Sequence, residues 1–490
     1  MFRRPNKKQL LIRRIITYVV MVLAVLVIVA GTILFILGYR VDGNKGRLEQ
    51  GALVQFDSKP NGADVKIDDN SINANTPSKQ SVMAGIHAFA MSKNGYQPWS
   101  KTLNVKAGTL EWLDYVRLVP TALPVESVVS YVAVFGEKAS PDNKWLLVQE
   151  KAEAPVFQLV DLRSSQVKTS MISLPASLYT DATTQGVTHT FMIRSWDKDG
   201  RYVIVKHTFN DKSEYIVIDT QDPGTSVNVS TLLSVSLTEL KFSGASGNIL
   251  YGLSDGVIRK LDLSGATLSR GLVSNVKSFA LFDTNIITYT GTDPLNAAHQ
   301  VAGIYREGDE LPHVLRTVND LTTPLSIALT QYYNDDYVAI SEGLKVTVLK
   351  GNFPASSDTL SESLKSYDQF KTTANIDMTS FSKTGDHLIV QSGLNYVSYE
   401  IEYMRQTDAT VTTSETAPHT MQWLDDAYLW AVYDGHLSIR EFDGTNIHVI
   451  MNMEPGYDAT LSQNGKYLYG VAKASNGTTY QLQRVTMILN

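Results

Sequence analysis

Three patterns of hydrophobic and polar positions follow one another along this chain. From Ile15 to Tyr39 (IITYVVMVLAVLVIVAGTILFILGY) no charged residue interrupts an apolar run. Coiled as a helix at about 1.5 Å per residue, it is about 37 Å long, enough to cross a hydrocarbon core of about 30 Å with some tilt. Every face of it is apolar, unlike the one-sided stripe of a helix packed on a soluble core. Between 51 and 120 the pattern changes to short alternating stretches. Leu53, Gln55 and Asp57 alternate with Val54, Phe56 and Ser58; Val65-Lys66-Ile67, Ser81-Val82-Met83, His87 to Met91, Leu103-Asn104-Val105 and Tyr115 to Leu118 follow. Gly, Pro and Asn separate these stretches, which predicts a small antiparallel β-sandwich. From about 121 to 490 apolar strands recur at a regular interval.

The flanks of the apolar run predict its orientation. Arg3, Arg4, Lys7, Lys8, Arg13 and Arg14 precede it with no acid among them, while the segment after it is mixed (Arg40, Asp42, Lys45, Arg47, Glu49). By the positive-inside rule residues 1–14 stay in the cytoplasm, 15–39 cross the membrane, 40–50 form a linker and the rest lies outside. Tyr18 and Tyr39 sit where aromatic rings favour the interface, and the basic tail faces anionic headgroups. Membrane lipid is thus the first expected partner, through 15–39. The run exceeds the length of a signal-peptide core, and no small-x-small cleavage site follows it. A cytoplasmic tail of this size is too short for a kinase or other output domain.

The punctuation of 51–120 is specific. Pro60-Asn61-Gly62-Ala63 forms a turn before the strand Val65 to Asp68. Asn75-Thr76-Pro77, Ala84-Gly85-Ile86-His87 and Lys93-Asn94-Gly95-Tyr96 follow in order. In order and spacing this stretch resembles a PEGA domain, with Asn61 where the family's name-giving turn has Glu. The motif residues are Pro60, Asn61, Gly62, Ala63, Thr76, Pro77, Gly85, Gly95 and Tyr96. The resemblance implies a spacer or interaction module of prokaryotic surface proteins, with no catalytic role. Taken singly, the glycines also read as plain turn positions that need φ > 0.

After 125 an apolar residue, a polar turn and an apolar strand recur, as in Ala139-Ser-Pro-Asp-Asn-Lys-Trp145, Trp196-Asp-Lys-Asp-Gly-Arg-Tyr202, Phe381-Ser-Lys-Thr-Gly-Asp-His387 and Leu461-Ser-Gln-Asn-Gly-Lys-Tyr467. Copies begin near 145, 201, 248, 286, 337, 387, 428 and 467. The mean spacing is about 46 residues, the period of a four-stranded propeller blade. The last unit is one strand short, and Val125 to Val134 is expected to supply two strands, one completing it and one opening the first. The prediction is a β-propeller of eight blades, or seven if one weak copy is an insertion. The repeat resembles the Phe-Ser-Pro-Asp-Gly-Lys pattern of TolB-type, WD40-like propellers. Closing such a ring buries the sheet faces and protects the edges. The fold class is therefore mainly β: a transmembrane helix, a small PEGA-like sandwich at 51–120, and a propeller at 121–490.

Composition narrows the chemistry. The chain has 490 residues and no cysteine, so disulfides, thiolate metal sites and cysteine nucleophiles are excluded. Setting the six tail bases aside leaves 37 bases against 49 acids, net −12, the wrong sign for nucleic acid as a partner. The nine histidines (87, 189, 207, 299, 313, 387, 419, 436, 448) never stand at HExxH or HxH spacing, and no P-loop occurs. Asp197-Lys198-Asp199-Gly200 opens like a calcium loop, but its twelfth position is Thr208 rather than Glu, so it reads as an Asp/Gly turn. Ser140-Pro141-Asp142 matches part of a sialidase Asp-box, itself a structural turn. No catalytic residue, metal ligand or cofactor is assigned. Insertions at 175–186, 291–299 and 352–373 are candidate binding loops. Within the last, Ser356-Ser357-Asp358 followed by Leu360, Leu364 and Tyr367 predicts a short amphipathic helix. Trp423 and Trp430 are expected in a blade core. The functional expectation is a single-pass extracytoplasmic binding scaffold of the prokaryotic envelope, its partner an envelope protein or polysaccharide. The alternative is a propeller hydrolase or lyase acting on envelope glycans or peptides.

Overall fold

A computed structural model describes residues 7–36, 39–41, 48–244, 246–353, 363–475 and 477–489. The chain divides into two units, Met1–Ala122 and Leu123–Asn490.

In the first unit one helix spans Lys7–Ile36, and its segment Leu11–Leu34 is long and apolar enough to cross a membrane with none of it buried in the protein. The helix is displaced toward the N-terminus relative to the expected 15–39. Lys, Leu and Arg are good helix formers and extend it backward. At the other end Tyr39–Val41 is a strand paired with Leu48–Gln50, so the expected linker 40–50 carries strand at both ends.

Two four-stranded sheets follow. One contains Tyr39–Val41, Leu48–Lys59, Ser78–Met83 and Leu110–Arg117; the other contains Asn70–Asn75, Asp64–Ile67, Gly85–Ser92 and Trp99–Val105. Their facing side chains, among them Val54, Phe56, Val65, Phe89, Met91, Trp99 and Leu113, form one core. Two features depart from the expected antiparallel sandwich. Leu110–Arg117 pairs with Leu48–Lys59 in parallel, and Asn70–Asn75 is a strand although four of its six residues are Asn or Ser and only Ile72 packs on the core. It sits at a sheet edge, where pairing from one side suffices.

Among the described residues the second unit contains eight four-stranded sheets in chain order, here sheets 1 to 8: 136–173, 189–228, 239–268, 276–318, 325–371, 378–410, 422–452 and 460–486. Each is an antiparallel meander. The eighth has three strands of its own and takes Val125–Tyr131 as its fourth, paired with Tyr480–Thr486. The strand opening sheet 1 is Gly136–Ala139 rather than part of 125–134. Apolar clusters join sheets 1 and 2, 2 and 3, 3 and 4, 4 and 5, and 5 and 6. His387 against Phe442 (ring centroids 3.9 Å apart) links 6 to 7, Met451 and Met453 crowd Gly470 between 7 and 8, and Tyr469, Val471 and Leu482 meet Leu146 and Val148 to join 8 to 1. Sequential four-stranded meanders packed face to face and closed end to end are a β-propeller.

The repeat motif is explained by its turn. In Ser140, Asp197, Ser382 and Ser462 a side-chain oxygen accepts the backbone N–H five residues on, at 2.9, 2.8, 3.2 and 3.0 Å, while the residue's own N–H donates back to the same partner's carbonyl. The fourth turn position has φ of 59°, 70°, 81° and 68° in Asn143, Gly200, Gly385 and Gly465. Gly enters that region freely, and Asn or Asp at some cost. Asp197 is thus a turn carboxylate.

Two insertions differ from expectation. Residues 291–299 belong to a long hairpin of Ile286–Asp293 and Asn296–Arg306. Leu364 and Tyr367 lie in the strand Leu364–Lys371, paired with Lys345–Gly351, not in a helix. The unsatisfied edge of the neighbouring strand overrides local helical spacing there. Leu360 and its Ser356 to Asp358 cap lie outside the described residues.

Candidate functional site

The PEGA-like motif residues form one hydrogen-bonded knot. Gly62, at φ 82°, donates its N–H to the Thr76 carbonyl at 2.8 Å, and Thr76 N–H returns to the Ala63 carbonyl at 2.9 Å. The Thr76 hydroxyl accepts Ala63 N–H at 2.9 Å and meets Ser58 Oγ at 2.6 Å. Lys93 Nζ donates to the Asn61 carbonyl at 2.8 Å. The peptides before Pro60 and Pro77 are cis. Ala63 and Tyr96 are buried, and Gly85 and Gly95 have positive φ. The knot holds sheet ends together and offers no reactive group. Of the basic tail, Arg3 and Arg4 lie outside the described residues; Lys7 begins the helix, and Lys8, Arg13 and Arg14 are exposed along it.

Between sheets 7 and 8 a cleft of about 480 Å³ opens, within the size range of ligand sites. His419, Thr420 and Gln422 enter it from the segment leading into sheet 7, Trp430 and Val432 from the strand Tyr428–Tyr433, and Pro455, Gly456 and Tyr457 from the segment leading into sheet 8. No Asp, Glu, Lys or Arg lines it. His419 is well positioned: its backbone N–H donates to Tyr433 Oη at 2.8 Å, its ring stacks on Tyr433 at 4.9 Å, and Nε2 pairs with Glu415 at 2.9 Å. Trp430 lies in the cleft wall at the packed face of its strand, combining the expected core position with a role at the rim. The lining of amide, hydroxyl, imidazole and aromatic groups suits a neutral polar ligand better than an ion.

A second polar assembly lies inside sheet 2. His189 Nδ1 meets His207 Nε2 at 2.9 Å, and His207 Nδ1 meets Glu214 at 2.9 Å. Thr180 closes the chain with two bonds to the same carboxylate, from N–H at 2.9 Å and Oγ1 at 2.7 Å. His207 is fully buried, stacked between Phe191 and Phe209. Burial would raise the Glu214 pKa, but the His207 and Thr180 hydrogen bonds outweigh it and hold the group at about 2. The relay anchors 175–186 to the sheet. Sequence reasoning misses it because the three residues meet across strands, 18 and 7 positions apart. Among the described residues no group of three His, Asp or Glu is arranged to hold a metal ion.

Comparison with known proteins agrees with this architecture. Residues 53–121 match the PEGA domain family. No curated protein matches the chain. Among solved structures, the C-terminal WD40 domain of Sif2 aligns at 10% identity and TM-score 0.49, over 74% of this chain and 98% of that one. The Dos1 propeller aligns at 11% and 0.45 over 74% and 94%, and an oligogalacturonate lyase in complex with manganese at 9% and 0.41 over 74% and 97%. Likenesses at this level carry no functional argument. The chain combines an apolar helix that is a candidate membrane span or signal sequence, a PEGA domain, and a β-propeller.

Proposed function

We propose that this chain is a single-pass binding protein of a prokaryotic cell envelope, its N-terminus cytoplasmic and its PEGA domain and propeller outside. The observation that carries the reading is the wholly exposed apolar segment Leu11–Leu34 directly preceding a PEGA domain. Exposing such a surface to water costs about 25 cal/mol per Å² of apolar area, a cost that insertion into lipid removes. The basic residues ahead of it support the orientation. The neutral, aromatic-walled cleft between sheets 7 and 8 supports binding of an envelope polymer or a protein segment, without cofactor.

Two measurements test the reading. Protease added to intact cells should digest a C-terminal tag and spare an N-terminal one; protection of the C-terminal part, or its free solubility in the full-length chain, overturns the topology. The full-length protein should capture an envelope component from detergent extract, and Gln422→Arg, which fills the cleft mouth with charge, should reduce capture at least tenfold. Release of new reducing ends or amino groups from that component would replace binding with the hydrolase or lyase alternative.

A further inference from the structure

Between sheets 5 and 6 lies another cavity, of about 350 Å³. Strand alternation builds its wall on sheet 6. Gln406, Asp408 and Thr410 stand at every second position of the outer strand Arg405–Thr410, so they share one face. Their partners across the ladder are Tyr399, Val397 and Asn395. Val397 and Tyr399 pack against Val346, Val348 and Phe370 of sheet 5, so that face is the one turned toward sheet 5. Ser392 ends the strand His387–Ser392, two positions beyond Val390 of the same core. The end of the outer strand of sheet 5 and the segment after it, Lys371 to Thr373, complete the lining.

The fold leaves polar groups of this cavity unused. Ser392 is 2% exposed, and its Oγ is buried with no hydrogen-bond partner. Gln406, Asp408 and Thr410 are exposed at the mouth. Thr410 Oγ1 donates to Asn395 Oδ1 at 2.7 Å, which orients that amide and leaves its N–H₂ to spare. A buried hydroxyl without a partner weakens the fold, and here the partner must come from within the cavity. The lining restricts what that is. One carboxylate, Asp408, and one ammonium, Lys371, give it no net charge to hold an ion. Hydroxyls and amides both donate and accept, so the complementary ligand carries several groups that do the same, as a polyol does. Val397 adds an apolar spot for ring C–H groups. The volume is at the small end for ligand sites, which limits the occupant to a short saccharide.

We propose that this cavity binds a neutral mono- or disaccharide, with Ser392 Oγ and the Asn395 amide at its inner end and Asp408 accepting from its hydroxyls at the mouth. The site is separate from the cleft between sheets 7 and 8 and does not depend on it.

The test is saturation-transfer NMR on the full-length protein in a polyoxyethylene detergent, whose headgroup carries no sugar. The probes are glucose, galactose, N-acetylglucosamine, maltose and lactose at up to about 50 mM, enough to detect a millimolar Kd. At least one should bind wild type. Ser392→Ala should weaken that binding about fivefold, and Asp408→Ala at least about tenfold, for the loss of a neutral and a charge-assisted hydrogen bond. Asp408 is exposed, so its variant decides the matter even if Ser392→Ala fails to fold. Transfer to none of the five sugars overturns the site, as does undiminished binding by Asp408→Ala. Binding lost in Gln422→Arg but kept in Asp408→Ala places the sugar in the cleft between sheets 7 and 8, which overturns this site and leaves the proposed function standing.

Discussion

Replacing Glu214 by glutamine isolates the relay of sheet 2. The carboxylate accepts from His207 Nδ1, Thr180 N–H and Thr180 Oγ1, and its side chain is 5% exposed. Its folded pKa of about 2 stands against an unfolded value of about 4.3. That difference corresponds to about 3 kcal/mol at neutral pH. The Glu214→Gln side chain would keep the shape but turn an amide N–H₂ toward a donor, so a loss of about 2–3 kcal/mol is expected at pH 6. Because the folded pKa is depressed, the stabilisation is complete above the unfolded pKa and fades as pH falls toward about 2. The gap between wild type and E214Q should therefore shrink by about half between pH 6 and pH 3. Hydrogen exchange at the Thr180 amide, together with urea unfolding at each pH, reads it. A gap constant from pH 6 to pH 3, or smaller than about 0.5 kcal/mol at pH 6, refutes the reasoning.

Other expectations follow from single contacts. Gly385→Ala should destabilise far more than Gly465→Ala: both have positive φ, but a Cβ at Gly385 would clash with Thr330 Oγ1 and lie 2.7 Å from the Gln331 carbonyl, whereas Gly465 faces open space. Midpoints differing by less than the equivalent of about 1 kcal/mol would contradict this. Glu137, half-buried where sheet 8 meets sheet 1, has its pKa pushed well up by desolvation and by Asp458, so its ionised form weakens the fold as pH rises above about 4.3; Glu137→Gln should raise the melting temperature at pH 7 and leave it unchanged near pH 4. Arg484 Nε and Nη2 clasp Glu126 at 2.8 and 3.0 Å, with Nη1 on the Ser165 carbonyl, fastening the closing strand. Arg484→Met should cost about 1–3 kcal/mol and expose 125–131 to proteolysis, which limited digestion followed by mass spectrometry would detect.

Much of the fold was legible because it is written in local periodicity. The apolar run, the Pro60 to Ala63 turn and the Ser140, Asp197, Ser382 and Ser462 turns each need particular residues at fixed offsets, for reasons of φ and of hydrogen bonding within a few positions. Leu364 and Tyr367 were misleading: helical spacing there is real, but the open edge of Lys345–Gly351 pairs the segment as a strand. Asn70–Asn75 gave little signal, since an edge strand needs few apolar residues and only Ile72 reaches the core from it.

Binding features were barely legible. The cleft draws His419, Gln422, Trp430 and Tyr457 from two sheets, and the relay draws Thr180, His189, His207 and Glu214 from a loop and three strands. The order of residues alone determines an exposed apolar helix, a PEGA domain and a four-stranded repeat, since each is encoded by neighbours in the chain. The tertiary structure alone decides which edges close the ring, which polar groups become buried together, and which of them find partners. Those outcomes depend on distances between residues tens to hundreds of positions apart, and a pattern of short period carries no record of them.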